Sequence, residues 1–112
     1  MPGLRLQLRS LAVGTAALPQ IEFPQQLPPR WSDNTAGSIA SGILYTVSAG
    51  IIDFIQDWDR LYPDSQIVFT GGDGELLNGY IQAMSGHLAV RVRCDRQLLF
   101  HGLAAILARN LP

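Results

Sequence analysis

Between residues 35 and 62 the apolar positions Ile39, Ile43, Val47, Ile51, Ile55, Trp58 and Tyr62 recur every three or four places. That period predicts one long amphipathic helix with this stripe turned inward. Ser32, Asp33 and Asn34 offer side-chain oxygens to its first unpaired N–H groups, and Pro63 stops it. Gly37, Ser41, Gly42, Ser48, Ala49 and Gly50 give this helix an unusual share of small residues. Small side chains let another backbone approach closely, either within the chain or from a second subunit, and the pattern leaves both open.

The other segments are shorter. In residues 4–18, Leu4, Leu6 and Leu8 alternate as in a strand, while Leu4, Leu8, Leu11 and Leu18 fit a helical stripe. Pro2 suits the first turn of a helix and tips the reading that way. Residues 19–33 hold four of the seven prolines, which predicts an extended connector without a regular ladder. Its Ile21, Phe23, Leu27 and Trp31 predict that it lies pressed onto a surface. "SQIVFT" reads as a short buried strand, and residues 75–84 as a helix with Leu76, Leu77, Tyr80 and Ile81 inward. "LAVRVRC" alternates Leu88, Val90, Val92 and Cys94 against Ala89, Arg91 and Arg93, a half-exposed strand, and residues 97–111 close the chain as a helix. The predicted order is helix, helix, strand, helix, strand, helix. One strand–helix–strand crossover favours parallel pairing. Two strands cannot cover this many apolar helix faces, so further strands are expected from a partner or from the rest of a larger fold.

At 112 residues, 47% of them hydrophobic, the chain fits one domain with a core. A net charge of -1, with eight scattered arginines and no lysine, gives no electrostatic footprint for nucleic acid. Cys94 is alone, so no intrachain disulfide can form, which fits a reducing, cytoplasmic setting. The longest apolar stretch, "ILYTVSAGII", falls short of a bilayer span, and "MPGLRLQLRS" lacks the order of a signal peptide.

Chemistry is suggested mainly by "IVFTGGDGELL", where an apolar run breaks at Gly71 and Gly72 before a helix. Missing side chains let a ligand approach the backbone, and the helix that follows offers its positive end. A plain strand-to-helix turn explains the same residues. Asp73 is placed to cap the next helix. "GGDGE" carries an interrupting Gly74 and has no nearby acidic pair, so it is not a metal-binding signature. His87 and His101 are too far apart for a local metal site, and Cys94 reads as core. Asp53, Asp57 and Asp59 read first as a solvated helix face, with a catalytic carboxylate pair as the alternative.

Four segments in order, "PGLRLQLRSLAVGTAALP", "NTAGSIASGILYTVSAGIIDFIQDW", "IVFTGGDGELL" and "DRQLLFHGL", make the chain resemble type III pantothenate kinase, cyanobacterial-style, within the actin-like, sugar-kinase-like ATPase superfamily. The resemblance implies an α/β fold: the carboxy-terminal half-domain of a ribonuclease-H-like (actin-like ATPase) fold, with residues 1–112 forming part of the second such domain. It implies a chain truncated or read from an internal methionine. It also implies transfer of the ATP γ-phosphoryl group to pantothenate, the first step towards coenzyme A, in a homodimer formed through helix 35–62. By the same likeness Thr35 would touch pantothenate across the dimer interface, although Asn34 and Thr35 could simply cap the helix. Gly71 and Gly72 would lie beside ATP. The family's Asp-x-Gly-Asn phosphate loop, its Gly-x-Asp-Arg substrate and catalytic-base motif, and its Asp-x-Gly-Thr loop for potassium and ATP do not occur here. "WDR" and "CDR", at Arg60 and Arg96, lack the glycine. The catalytic aspartate and the ligands for potassium and Mg are therefore expected outside these residues, and the chain alone is expected to be inactive. The alternative is a non-catalytic dimerisation or interaction module derived from that kinase.

Overall fold

The residues with the longest helical period form the longest helix. The computed structural model describes residues 2–14, 21–89 and 91–112. In chain order these form α1 (Leu4–Gly14), α2 (Thr35–Leu61), β1 (Ile67–Phe69), α3 (Gly74–Met84), α4 (Gly86–Ala89), β2 (Val92–Cys94) and α5 (Leu98–Asn110). The two strands pair in parallel, Ile67 opposite Val92 and Phe69 opposite Cys94, as a single crossover favours. The architecture is mixed α/β, a small two-stranded sheet with helices packed on it. Residues 15–18 of the predicted first helix, Pro19 and Gln20 of the connector, and Val90 lie outside the described residues.

α2 starts where its cap chemistry allows. Asn34 is extended, and its Oδ1 accepts the Gly37 N–H at 2.8 Å. A Cβ on Gly37 would run into Ser32 Oγ, so close approach explains that glycine. At the far end the Tyr62 N–H still bonds Trp58 O, and Pro63 permits no further turn.

The buried face of α2 is rotated from the predicted stripe. Ala40, Ser41, Leu44, Val47, Ser48 and Ile55 are buried, whereas Ile39, Ile43 and Ile51 are only half-buried. Trp58 and Tyr62 are exposed and stack on each other, their centroids 4.5 Å apart. Among the small residues Ala40, Ser41 and Ser48 lie on the buried face. Gly42, Ala49 and Gly50 remain exposed. Leu4, Leu44, Val47, Leu77 and Tyr80 form one core cluster, and Ile55, Leu88 and Val92 a second. Ile51 and Phe69 pack against both.

The connector lies on the protein, as its apolar residues predict. Phe23 and Leu27 pack on the first cluster, but Trp31 is 87% exposed and does not. Hydroxyl groups hold its carbonyls: Tyr80 donates to Pro24 O, Tyr45 to Pro28 O at 2.8 Å, and Ser41 to Arg30 O.

The segment read as the strand "LAVRVRC" divides. Residues 86–89 turn as α4, and only Val92–Cys94 is strand, with Cys94 half-buried. Arg91 lies before the strand and clamps the end of α2. Its guanidinium pairs with Asp59 and donates to Pro63 O at 2.6 Å and Ser65 O at 3.2 Å. Among the described residues α2 is long and apolar enough to cross a membrane, which the count of consecutive apolar residues did not register. It packs on α1 and α3 and gives Leu44 and Val47 to the first core cluster, with a third of its most apolar stretch buried.

Two outcomes test this packing. Burial pushes the Tyr80 phenol above its ordinary 10.0. The unfolded chain therefore ionises first, so stability holds below about pH 10 and falls as pH rises beyond it. Tyr80→Phe should flatten that alkaline loss and, by orphaning the Pro24 carbonyl, lower stability near neutral pH by about 1–3 kcal/mol in denaturant titrations. Among the described residues Ser48 Oγ is buried without a hydrogen-bond partner. Ser48→Ala should raise the thermal midpoint, by the equivalent of about 1 kcal/mol.

Candidate functional site

β1 ends at Phe69, and Thr70 to Asp73 turn the chain into α3. The three glycines of this turn have different reasons to be glycine. Gly71 has φ +94°, a left-handed conformation that a side chain resists. A Cβ on Gly74 would sit 3.4 Å from Phe69 Cβ, so that glycine permits close packing. Gly72 has neither constraint: among the described residues a Cβ there would meet nothing within 4 Å, as at Gly42, Gly50, Gly79, Gly86 and Gly102. The fold around Gly72 does not explain its missing side chain.

Asp73 corrects the sequence reading. It occupies the cap position of α3 but makes no side-chain bond to that helix. Its carboxylate instead accepts the Leu4 N–H, at 3.0 Å, and so caps α1. Its own carbonyl accepts Leu77 N–H at 2.9 Å and starts α3. One residue thus begins two helices, and the positive ends of both converge on the glycine turn. The signal available in the sequence was an omission: Gly3 gives α1 no side-chain oxygen of its own.

A hollow of about 430 Å³ lies against this turn, lined by Leu4, Ile51, Phe69, Leu77 and the backbone of Gly71 and Gly72. On the other flank of Gly72 and Asp73 is a cleft of about 690 Å³ with Arg5, Arg9 and Arg96 in its wall. A third, apolar trough of about 900 Å³ runs between α2 and β1, past Phe54, Ile55 and Trp58.

The structure brings Gly71 and Gly72 together on one hollow and leaves Thr35 apart. Thr35 is the exposed first residue of α2 and lines none of these cavities. Sixteen residues separate it from Ile51, which sits at the level of the turn, a rise of about 24 Å along the helix. The capping bond at this end belongs to Asn34.

The remaining candidates are engaged elsewhere or exposed. Asp57 pairs with Arg60 at 2.6 Å and Asp59 with Arg91, which occupies "WDR" in surface ion pairs. Arg96 of "CDR" reaches Glu75 at 3.2 Å. His101 Nδ1 is 3.4 Å from Asp95, and His87 is exposed on α4. Among the described residues no group of three His, Cys, Asp or Glu side chains could hold a metal ion.

The Asp73 bond gives a direct test. Asp73→Ala should lower stability by about 1 kcal/mol and speed amide exchange in the first turn of α1. Asp73→Asn, whose amide oxygen can still accept, should retain most of both.

A family model described as type III pantothenate kinase matches residues 1–57. The chain is 43% identical over 106 residues to a type III pantothenate kinase of Synechococcus sp., covering 93% of this chain and 42% of that one. It is 43% identical over 108 residues to the enzyme of the same name from Synechocystis sp., covering 95% and 41%. To that of Nostoc sp. it is 42% identical over 110 residues, covering 96% and 40%. The chain therefore spans about two fifths of the length of these relatives. No solved structure matches it. On the family match and these relatives together, the chain belongs to the type III pantothenate kinase family.

Proposed function

We propose that this chain forms the nucleotide-facing wall of a pantothenate kinase, the enzyme that transfers the γ-phosphoryl group of ATP to pantothenate on the way to coenzyme A. The observation that carries this reading is Gly72. In a chain of this family, a residue whose missing side chain faces an open hollow, between two helix amino termini, fits the approach of a nucleotide to backbone. Gly71 supplies the turn, Gly72 the clearance, and Asp73 holds α1 against both.

The architecture is that of the carboxy-terminal half-domain of a ribonuclease-H-like fold. Two parallel strands and their crossover helix are in hand, and further strands come from the remainder of the enzyme. The phosphate loop, the catalytic base and the ligands for potassium and Mg are assigned to that remainder, since the three family motifs that carry them do not occur in this sequence. In phosphoryl transfer positioning and charge neutralisation do most of the work, so a chain without those groups does not catalyse alone. Thr35, exposed at the start of α2, serves the partner subunit's pantothenate site in a homodimer built along α2. The exposed Gly42, Ala49 and Gly50 leave that helix open to close approach. The setting is cytoplasmic.

A second reading is a non-catalytic dimerisation or interaction module derived from the kinase. The exposed apolar side chains of α5, among them Leu99, Phe100, Ile106 and Leu107, favour it.

A chimera separates the two. Residues 2–112 replace the matching segment of the Synechocystis relative, and pantothenate phosphorylation is assayed. The kinase reading expects an active chimera, with Gly72→Val raising KM for ATP and Thr35→Ala raising KM for pantothenate by roughly tenfold, the loss of about 1.4 kcal/mol of binding each. A folded but inactive chimera supports the module. The chain by itself should form no phosphopantothenate.

A further inference from the structure

We propose that α5 of one copy of this chain docks in the apolar trough of a second copy, and the reverse, so that two chains close a reciprocal dimer. The proposal holds under either function given above and takes nothing from the glycine turn.

α5 is a helix without a surface of its own to rest on. None of its residues is buried, and Leu99, Phe100, Leu103, Ile106 and Leu107 are all exposed. At about 100° per residue those five fall on one face roughly 120° wide. A helix of 13 residues is marginal in water unless such a face is packed. The helical form of α5 therefore calls for a covering surface.

The trough beside β1 has the shape of that cover. It holds about 900 Å³, with Ile51, Phe54, Ile55 and Trp58 lining it from α2 and Ile67 and Phe69 from β1. Its α2 wall runs from Thr46 to Trp58, the same 13 residues in length as α5, about 20 Å. The chain's own α5 contributes no residue to it. The charges match as well. Asp53 is exposed on α2 beside Gly50 and Phe54 of the trough, and Arg109 is exposed on α5, flanking its apolar face next to Ile106. Among the described residues neither takes part in an ion pair. An α5 seated in the trough offers each of them a partner of opposite sign.

A second copy is the occupant these features select. Both surfaces lie on the same chain, so one two-fold axis covers each of them twice and leaves neither open, the usual closure of homodimers. The area agrees. The chain exposes 8150 Å², against roughly 6,100 Å² for a compact monomer of 12.2 kDa. Removing that difference from both copies buries roughly 4,000 Å², within the range of obligate homodimers.

The test is sedimentation velocity of the full chain across a dilution series. The parent should sediment as a closed dimer, at twice 12.2 kDa. Leu103→Glu/Ile106→Glu on α5 and Phe54→Glu in the trough should each weaken association by roughly a hundredfold or more. A mixture of the two variants should associate again, because one intact α5 and one intact trough remain between them. Asp53→Arg should weaken the dimer by roughly fivefold, and adding Arg109→Asp should restore it. A monomeric parent, open-ended aggregates, or a dimer that either variant leaves intact overturns the proposal. So does a mixture that stays monomeric, since α5 then pairs with its own copy. If the monomeric parent binds only the remaining segment of the Synechocystis relative, that segment covers the trough and the dimer falls. Amide exchange within α2 and α3 should match the parent in every variant, which separates lost association from lost fold.

Discussion

The carboxylate of Asp73 accepting the Leu4 N–H is the bond on which the site depends, since it joins positions 69 residues apart. A helix amino terminus presents unpaired donors and a positive potential, and a carboxylate answers both. Because that carboxylate belongs to the glycine turn, α1 cannot be placed without fixing its start beside Gly72. Leu4, the first residue of α1, is then carried into the core against Leu44, Val47, Leu77 and Tyr80. Arg5 and Arg9 are carried to the rim of the adjoining cleft. One polar contact thus sets core packing, the wall of the hollow and the positions of two cations.

A second constraint concerns the proline-rich connector. Prolines donate no backbone hydrogen bond, so the segment cannot join the sheet, yet its carbonyls still need partners where it lies on the protein. Three hydroxyls supply them, from Ser41 and Tyr45 on α2 and Tyr80 on α3. The connector is therefore a strap whose anchors come from helix faces. This gives the burial of small and polar residues on α2 a cause. Ser41 lies inward because it bonds Arg30 O, and a larger side chain there would lift the strap away.

Much of the fold was legible because it is local. The period of α2, the proline stop after it, and the strand–helix–strand crossover are written in consecutive residues and appear where expected. The face of α2 was misjudged because periodicity counts apolar bulk, whereas Ala40, Ser41 and Ser48 share the buried face. Trp58 and Tyr62 looked like core by that count and instead pair with each other at the surface. The strand before Cys94 was overextended because alternation cannot reveal that residues 86–89 turn into a helix. Gly71 and Gly72 were visible as a motif, but only the φ of Gly71 and the open space at Gly72 tell their roles apart. The role of Asp73 was hidden, since no local rule pairs it with Leu4.

The surface of the chain bears on how much of a cleft it builds. A compact monomer of 12.2 kDa should expose roughly 6,100 Å², whereas this one exposes 8150 Å², about a third more. Its radius of gyration is 17.0 Å, against about 13 Å for a compact chain of this length. Several large apolar side chains contribute to that surface. α5 buries none of its residues, so Leu99, Phe100, Ile106 and Leu107 are exposed. The trough beside β1 leaves Phe54 and Trp58 open as well. The glycine turn sits beside the same short sheet, which is where an α/β fold collects ligands, outside the carboxyl ends of its strands. A sheet of two strands supports one side of such a crevice. The hollow at Gly72 thus rests against the end of this sheet, where Phe69 lines it.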